Sequence, residues 1–158
     1  QSLSNSAFKA VALPLIGAVG AVSAGWASDK LFAGRRAPLA ALMLLGLMSV
    51  CLIFAQVPAG EPVRAMVLLG LAGFLIYGPD MLMSGAATVD FSHPRAASAA
   101  TGLTMSSGAL GAVLSGAGMG WLLDVAKGQW SLAFYTLAGL ALVPALLMAS
   151  LRNAKPRA

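Results

Sequence analysis

A lone carboxylate, Asp80, lies inside a long apolar run of this sequence, directly after Pro79 and one helical turn beyond Tyr77. The run extends from about residue 63 to residue 90. A carboxylate near its middle would cost about 2.5–3.5 kcal/mol to insert into a bilayer. We therefore predict that Asp80 is a proton site or a hydrogen-bonding partner for a solute in a central cavity. The alternative is that its side chain caps backbone N–H groups freed by Pro79.

Hydroxyl groups flank this carboxylate in the predicted membrane segments. Tyr77 could present its phenol to the same cavity, or it could be an ordinary packing residue. Further along the chain, Thr104 and Ser107, with Thr101 and Ser106, could line a polar path. In membrane helices such hydroxyls often bond to their own backbone instead, and the sequence leaves both interpretations open.

A charged segment, residues 25–36, joins the first two apolar runs. It holds one acidic and three basic residues, which is a high density of charge for a chain with only ten Lys and Arg and five Asp and Glu in 158 residues. Asp29 can cap a neighbouring helix or pair with bases, which would make the segment a latch that holds one conformation. The alternative is simple anchoring of the bases at an anionic membrane surface. The residues of interest are Gly25, Asp29, Lys30, Gly34, Arg35 and Arg36.

Small residues recur every four positions in two of the apolar runs. One ridge contains Gly17, Ala21 and Gly25, and the other contains Gly108, Ala112, Gly116 and Gly120. Such ridges let helices approach closely. They predict either tight packing within this bundle or an interface that moves against helices outside it.

No constellation for catalysis or metal binding is visible in the sequence. The single cysteine, Cys51, lies in an apolar run, and the single histidine, His93, lies in a predicted loop. The Gly116–Gly120 run follows no strand and is not a dinucleotide fingerprint. We expect no cofactor, no metal and no enzymatic activity.

The composition indicates a membrane protein. Apolar residues make up 59% and charged residues 9% of the chain, whereas soluble domains carry about 25% charged residues. The net charge of +5 does not indicate nucleic-acid binding, because the bases lie in short loops between apolar runs.

The elements that must position these groups are five membrane-spanning helices in an all-α, multi-pass bundle. We place them near residues 7–27, 38–57, 63–90, 96–124 and 130–151, followed by a tail at 152–158. Each run could cross roughly 30 Å of hydrocarbon. Alternate loops and the tail hold seven basic residues against three on the other side, which predicts a cytoplasmic C-terminus and a cytoplasmic charged segment. The seven are Lys30, Arg35, Arg36, Arg95, Arg152, Lys155 and Arg157, and the three are Lys9, Arg64 and Lys127.

The spacing Gly25-x3-Asp29-Lys30 followed by Gly34-Arg35-Arg36 resembles the cytoplasmic loop signature of the major facilitator superfamily. Its longer gap before the second glycine is similar to the organophosphate:phosphate antiporter family. The runs 74–79 and 99–102 also suit that family. The resemblance covers nearly the whole chain and matches helices eight to twelve of a twelve-helix fold.

The resemblance implies two six-helix bundles that rock around a central site. This chain, which opens on Gln1, would then be cut from a longer protein. It would need the missing N-terminal half as a partner and would not transport alone. In this family, basic residues on the absent helices hold the phosphate ester, and Tyr77 matches an aromatic near the cavity.

The sequence departs from the family pattern in two places. Residues 107–110 lack the usual aromatic residue, and Asp80 replaces an uncharged residue. An added carboxylate would repel a phosphate dianion unless a cation or proton offsets it. The substrate can therefore differ from the familiar phosphate esters.

We predict a transporter of the bacterial inner membrane that exchanges an organic phosphate or related small anion for inorganic phosphate. One alternative is a proton-coupled symporter of another small solute that uses Asp80. A second is a transport-like membrane sensor of phosphate esters. The lipid bilayer and a small anionic molecule are the expected partners.

Overall fold

Five helices make up the part of the chain that the structure describes. The computed structural model describes residues 3–58, 61–88, 92–93 and 96–151. Its helices are α1 (Leu3–Leu31), α2 (Arg36–Phe54), α3 (Pro62–Asp80), α4 (Ala97–Val125) and α5 (Trp130–Ser150). At Met81, α3 passes directly into seven π-helical residues, Met81–Ala87, which we call the π segment. The prediction of an all-α membrane helix bundle is confirmed.

Local sequence and hydrogen bonding explain where α3 begins and where α4 ends. Pro62 opens α3, a position where its missing N–H would have no partner in any case. Helix α4 closes with the amide of Gly128 donating to the Leu123 carbonyl (2.9 Å) and that of Lys127 donating to the Asp124 carbonyl (3.2 Å). This pattern satisfies carbonyls that the helix end would leave unpaired.

The charged segment is more helical than the sequence predicted. Helix α1 continues to Leu31, so Gly25, Asp29 and Lys30 belong to its last two turns. The connection to α2 is made by residues 32–35, where Ala33 (φ 51°) and Gly34 (φ 75°) adopt left-handed backbone angles. Nothing before Ala33 stops the helix, because the segment contains no proline and a helix tolerates a single glycine such as Gly25. The predicted tail at 152–158 lies outside the described residues.

Four helical stretches in the described part of the chain are long and apolar enough to cross a membrane. They are Arg36–Phe54, Pro62–Gly85, Ala97–Val125 and Trp130–Ser150. Their exposed faces carry large apolar side chains such as Val113 and Leu114. In water these faces would be an adhesive surface, whereas hydrocarbon solvates them without cost.

Three helix pairs hold the bundle together. Helix α1 packs on α3, while α2 packs on both α3 and α5. The buried cluster at the centre consists of Ala24, Met43 and Leu82. Helix α5 meets α2 through alanines, and the rings of Phe54 and Phe134 stack with centroids 4.3 Å apart. Small buried residues thus bring the backbones close.

Helix α4 differs from the tightly packed helices, since it buries no residue. Within the described chain it contacts only α5 and the π segment, and neither contact is extensive. Its 29 residues are about 44 Å long. The helix therefore stands at the edge of the bundle, and the described part of the chain leaves most of its surface uncovered.

Candidate functional site

The change from α-helix to π-helix just after Pro79 lies at the centre of the candidate site. Gly78 and Pro79 are buried, and a Cβ atom at Gly78 would lie 2.6 Å from the Met43 sulfur. Pro79 cannot donate a backbone hydrogen bond within α3, and the π segment begins two residues later. Segments of π-helix are uncommon and often occur at functional sites.

Asp80 is exposed where α3 passes into the π segment. Its side chain makes no capping hydrogen bond at the start of the π segment, so the arrangement does not support the predicted alternative of a helix cap. Its backbone carbonyl accepts a hydrogen bond from the Ser84 hydroxyl at 2.6 Å. The carboxylate is thus left open to water, solute or helices outside this chain, and its role stays a prediction.

Tyr77 lies half-buried between α1 and α3. A Cβ atom at Gly17 would stand 2.5 Å from its Cδ2 atom, so the ring lies directly against the glycine. This contact gives Tyr77 a packing role. Whether its hydroxyl also serves a solute stays a prediction.

The hydroxyls of Thr104 and Ser107 turn back onto α4. Thr104 donates to the Ala100 carbonyl at 2.9 Å, and Ser107 donates to the Leu103 carbonyl at 2.5 Å. No hydrogen bond among the described residues joins either hydroxyl to Tyr77 or Asp80. The geometry matches the interpretation in which these groups satisfy their own backbone rather than a polar path.

Sequence reasoning missed the contact that connects α4 with the helical residues that follow Asp80. The hydroxyl oxygens of Thr88 and Thr101 lie 3.4 Å apart, between the end of the π segment and the first turns of α4. The signal for Thr88 was its position eight residues after Asp80, with Ser84 midway. Those intervals follow the turn of a helix, so the three residues form one line.

The charged segment forms a compact cluster at the junction of α1 and α2. The Arg36 guanidinium lies 3.7 Å from the Asp29 carboxylate; the arginine side chain is 17% exposed and the aspartate 64%. The Lys30 ammonium stands 5.4 Å from the centre of the Trp26 ring, a cation–π contact that sequence reasoning also missed. Arg35, at the start of α2, makes no capping bond through its side chain.

Ser28, which precedes Asp29 on α1, is fully buried. Its hydroxyl has no hydrogen-bond partner among the described residues, while its carbonyl accepts from the Gly34 amide at 3.0 Å. A buried hydroxyl without a partner is costly. Nothing in the sequence pattern distinguishes Ser28 from serines that bond to their own helix.

The two predicted small-residue ridges differ in their surroundings. Gly17 lies against Tyr77, whereas a Cβ atom at Gly25, Gly108, Gly116 or Gly120 would meet nothing within 4 Å in the described chain. Arg95 and the tail bases lie outside the described residues. No cluster of potential metal ligands occurs among the described residues.

Comparison with curated proteins identifies relatives over most of the chain. It is 34% identical over 143 residues to the glycerol-3-phosphate transporter of Bacillus subtilis, an alignment that covers 90% of this chain and 32% of that protein. It is 35% identical over 139 residues to the membrane sensor protein UhpC of Salmonella typhimurium, covering 88% of this chain and 31% of the relative. The chain is a homologue of the organophosphate:phosphate antiporters.

A third relative of this antiporter homologue is a probable hexose phosphate transport protein of Chlamydia pneumoniae. It is 34% identical over 139 residues, with 87% of this chain and 30% of the relative aligned. The chain thus spans about a third of the length of the curated relatives it matches. No family model and no solved structure matches it.

Proposed function

We propose that this chain belongs to a secondary transporter that exchanges an organic phosphate ester, or a related small anion, for inorganic phosphate by alternating access. The observation that carries the proposal is 34–35% identity, over about nine-tenths of the chain, to proteins named as glycerol-3-phosphate and probable hexose phosphate transporters and as a sensor. The four apolar stretches that could cross a membrane support a bilayer location.

The uncovered surface of α4 supports a further part of this proposal. The relatives are about three times as long as the aligned region, and α4 buries nothing in this chain. We infer that helices of an N-terminal half pack on the ridge of Gly108, Gly116 and Gly120, and that this contact changes as the two halves rock.

The charged segment is proposed to be a cytoplasmic latch and not a substrate site. The Asp29–Arg36 ion pair sits where α1 turns into α2, so a shift between these helices would stretch it. A contact made in only one state biases the equilibrium between states by its own free energy. With this segment and the C-terminus cytoplasmic, the positive-inside rule is satisfied.

Proteoliposomes that contain the intact protein provide the test. Vesicles preloaded with phosphate should take up labelled phosphate, and glycerol-3-phosphate or a hexose phosphate should compete with that uptake. Vesicles without protein give the leak rate. If the intact protein neither exchanges phosphate nor is inhibited by phosphate esters, the exchange function is wrong.

A proton-coupled symporter is the second candidate because Asp80 is exposed where α3 passes into the π segment, in a stretch that could cross a membrane. If Asp80 carries the proton, Asp80→Asn should abolish the pH dependence of uptake. Asp124→Asn, an exposed carboxylate at the end of α4, is the matched control. Unchanged pH dependence in the Asp80 variant would remove the proton-carrier role.

The sensor alternative rests on the similarity of the chain to the membrane sensor protein UhpC. A sensor would bind phosphate esters without net exchange. Saturable binding of a labelled ester to the purified intact protein, together with no exchange in proteoliposomes, would favour this alternative over the transporter.

A further inference from the structure

The residues after Asp80 form a line of hydroxyls along the π segment. Ser84 donates to the Asp80 carbonyl at 2.6 Å. Thr88, one turn further on, donates towards the carbonyls of Ser84 and Gly85, both at 2.8 Å. Side chains that bond back to their own helix in this way tend to bend it. The hydrogen bonds of these two hydroxyls therefore help to set the backbone geometry of the π segment.

The line ends at a neighbouring helix. The Thr88 hydroxyl oxygen lies 3.4 Å from that of Thr101, and Thr101 itself donates to the Ala97 carbonyl at 3.0 Å. Because α4 buries no residue, the neighbourhood of the π segment is one of the few places where this chain holds α4 at all.

The contact between the two threonine hydroxyls allows two hydrogen-bonding arrangements. Each threonine hydroxyl has one proton to donate. When both threonines donate to carbonyls of their own helices, the two oxygens face each other without a bond. When one of them donates across the gap instead, the helices are linked and one backbone carbonyl is released. Switching between the arrangements requires only rotation of a hydroxyl and a small shift of the helices.

We propose that Thr88 and Thr101 are positioning residues for transport: their hydroxyl pair couples α4 to the π segment and thereby sets the position of Asp80. The inference rests on the proposed transport function. A π segment contains an extra residue per turn relative to an α-helix, so rewinding it would rotate Thr88 relative to Asp80. The bond to Thr101 would then be made in one state of the transporter and lost in the other.

Exchange assays on the intact protein in proteoliposomes test the coupling. Thr88→Val and Thr101→Val keep the side-chain shape and remove the hydroxyl. Each should lower the maximal exchange rate by about threefold, the size expected for a hydrogen bond between membrane helices, with little change in KM. The double variant should be no slower than the single ones, and Thr88→Ser and Thr101→Ser should restore the rate.

Another threonine provides a matched control, because Thr136 on α5 donates to the carbonyl of its own helix at Leu132, at 2.8 Å. Thr136→Val should leave the rate unchanged. The proposal is overturned if this control slows exchange as much, if the serine variants do not recover, or if the effects of the two single variants multiply.

Thermal unfolding of the same variants separates failure of the coupling from failure of the exchange function. If the link exists, the Tm shift of the double variant is smaller than the sum of the single shifts, whether or not the protein exchanges phosphate. A non-additive Tm in a protein without exchange retains the contact but removes its role in transport. Additive Tm shifts in a protein that exchanges phosphate remove the link alone.

Discussion

Two ridges of small residues in this chain have the same sequence pattern, but only the one on α1 meets a partner helix in the described part of the chain, at Gly17 and beside it at Gly20. Between α1 and α3, glycines make room for the partner helix: a Cβ atom at Gly20 would lie 2.5 Å from the Phe74 carbonyl oxygen. On α4, a Cβ atom at the corresponding positions Gly108, Gly116 and Gly120 meets nothing within 4 Å among the described residues. A small-residue repeat therefore indicates that a helix can be approached closely, but it does not identify what approaches it.

The contrast separates the glycines that stabilise this chain from the glycines that are available for contact with other helices. The α1–α3 contact buries its glycines and joins the central cluster around Met43 and Leu82. The α4 ridge contributes no comparable packing inside the chain. We expect substitutions on the first ridge to affect unfolding of the bundle, and substitutions on the second to act through helices that lie outside it.

Gly20→Ala should have the largest effect on stability. The added methyl group would collide with the Phe74 backbone, which cannot rotate away as a side chain can. We expect a loss of about 1–3 kcal/mol in the free energy of unfolding, measured by thermal or denaturant unfolding in detergent.

Gly25→Ala on the same helix is the control, because a methyl group there meets nothing within 4 Å. It should be neutral, or stabilise the helix by up to about 1 kcal/mol. Equal losses in the two variants would show that the α1–α3 contact is not what distinguishes the ridges.

Gly116→Val tests the second ridge. A Cβ atom at Gly116 meets nothing within 4 Å in the described chain, so we attribute a loss of exchange to contacts with helices outside it. We expect the exchange rate of the intact protein to fall about tenfold, the effect of overpacking by ~1.4 kcal/mol in one state.

Gly118→Val provides the comparison, since Gly118 is also unobstructed but lies about 200° further around α4. Exchange at the wild-type rate in the Gly116 variant would mean that the ridge faces lipid.

Gly78→Ala should cost less than Gly17→Ala. The neighbour at Gly78 is the end of the Met43 side chain, whereas that at Gly17 is the ring of Tyr77. Methionine is flexible and can yield, while a planar ring held between two helices cannot. We expect less than about 1 kcal/mol for Gly78→Ala. The reverse order in unfolding experiments would place the rigid contact at Met43.

Asp29→Asn should change the free energy of unfolding less than the glycine substitutions at the α1–α3 contact. The Asp29–Arg36 ion pair is 3.7 Å long and its carboxylate is 64% exposed, so its contribution is about 0–1 kcal/mol. If the pair is a latch, however, the exchange rate changes while Tm hardly moves.

Glu61→Gln is the matched variant, because it removes a shorter exposed pair, Glu61–Arg64 at 3.3 Å, outside the charged segment. It should alter neither exchange nor Tm. If the two variants affect exchange equally, the Asp29 pair is an ordinary surface contact.

The helical class and most helix positions could be predicted because they depend on local properties. Proline, glycine and charge divide the chain into apolar runs, and each run long enough to cross a bilayer must satisfy its own backbone hydrogen bonds. The end of α1 was predicted too early, because the charges of Asp29 and Lys30 suggested a loop, although charged residues at a helix end are compatible with the helix.

The sequence by itself thus determined an all-helical membrane protein, the charged segment between its first two helices and the family it resembles. Only the tertiary structure decided that Gly17 faces Tyr77, that α4 is uncovered, that Thr104 bonds to its own helix and that Thr88 meets Thr101. The physical reason is that chain length and hydropathy act within one segment. Burial and hydrogen bonding between side chains depend on how separate segments meet, and similar glycine ridges or threonines have different neighbours once they do.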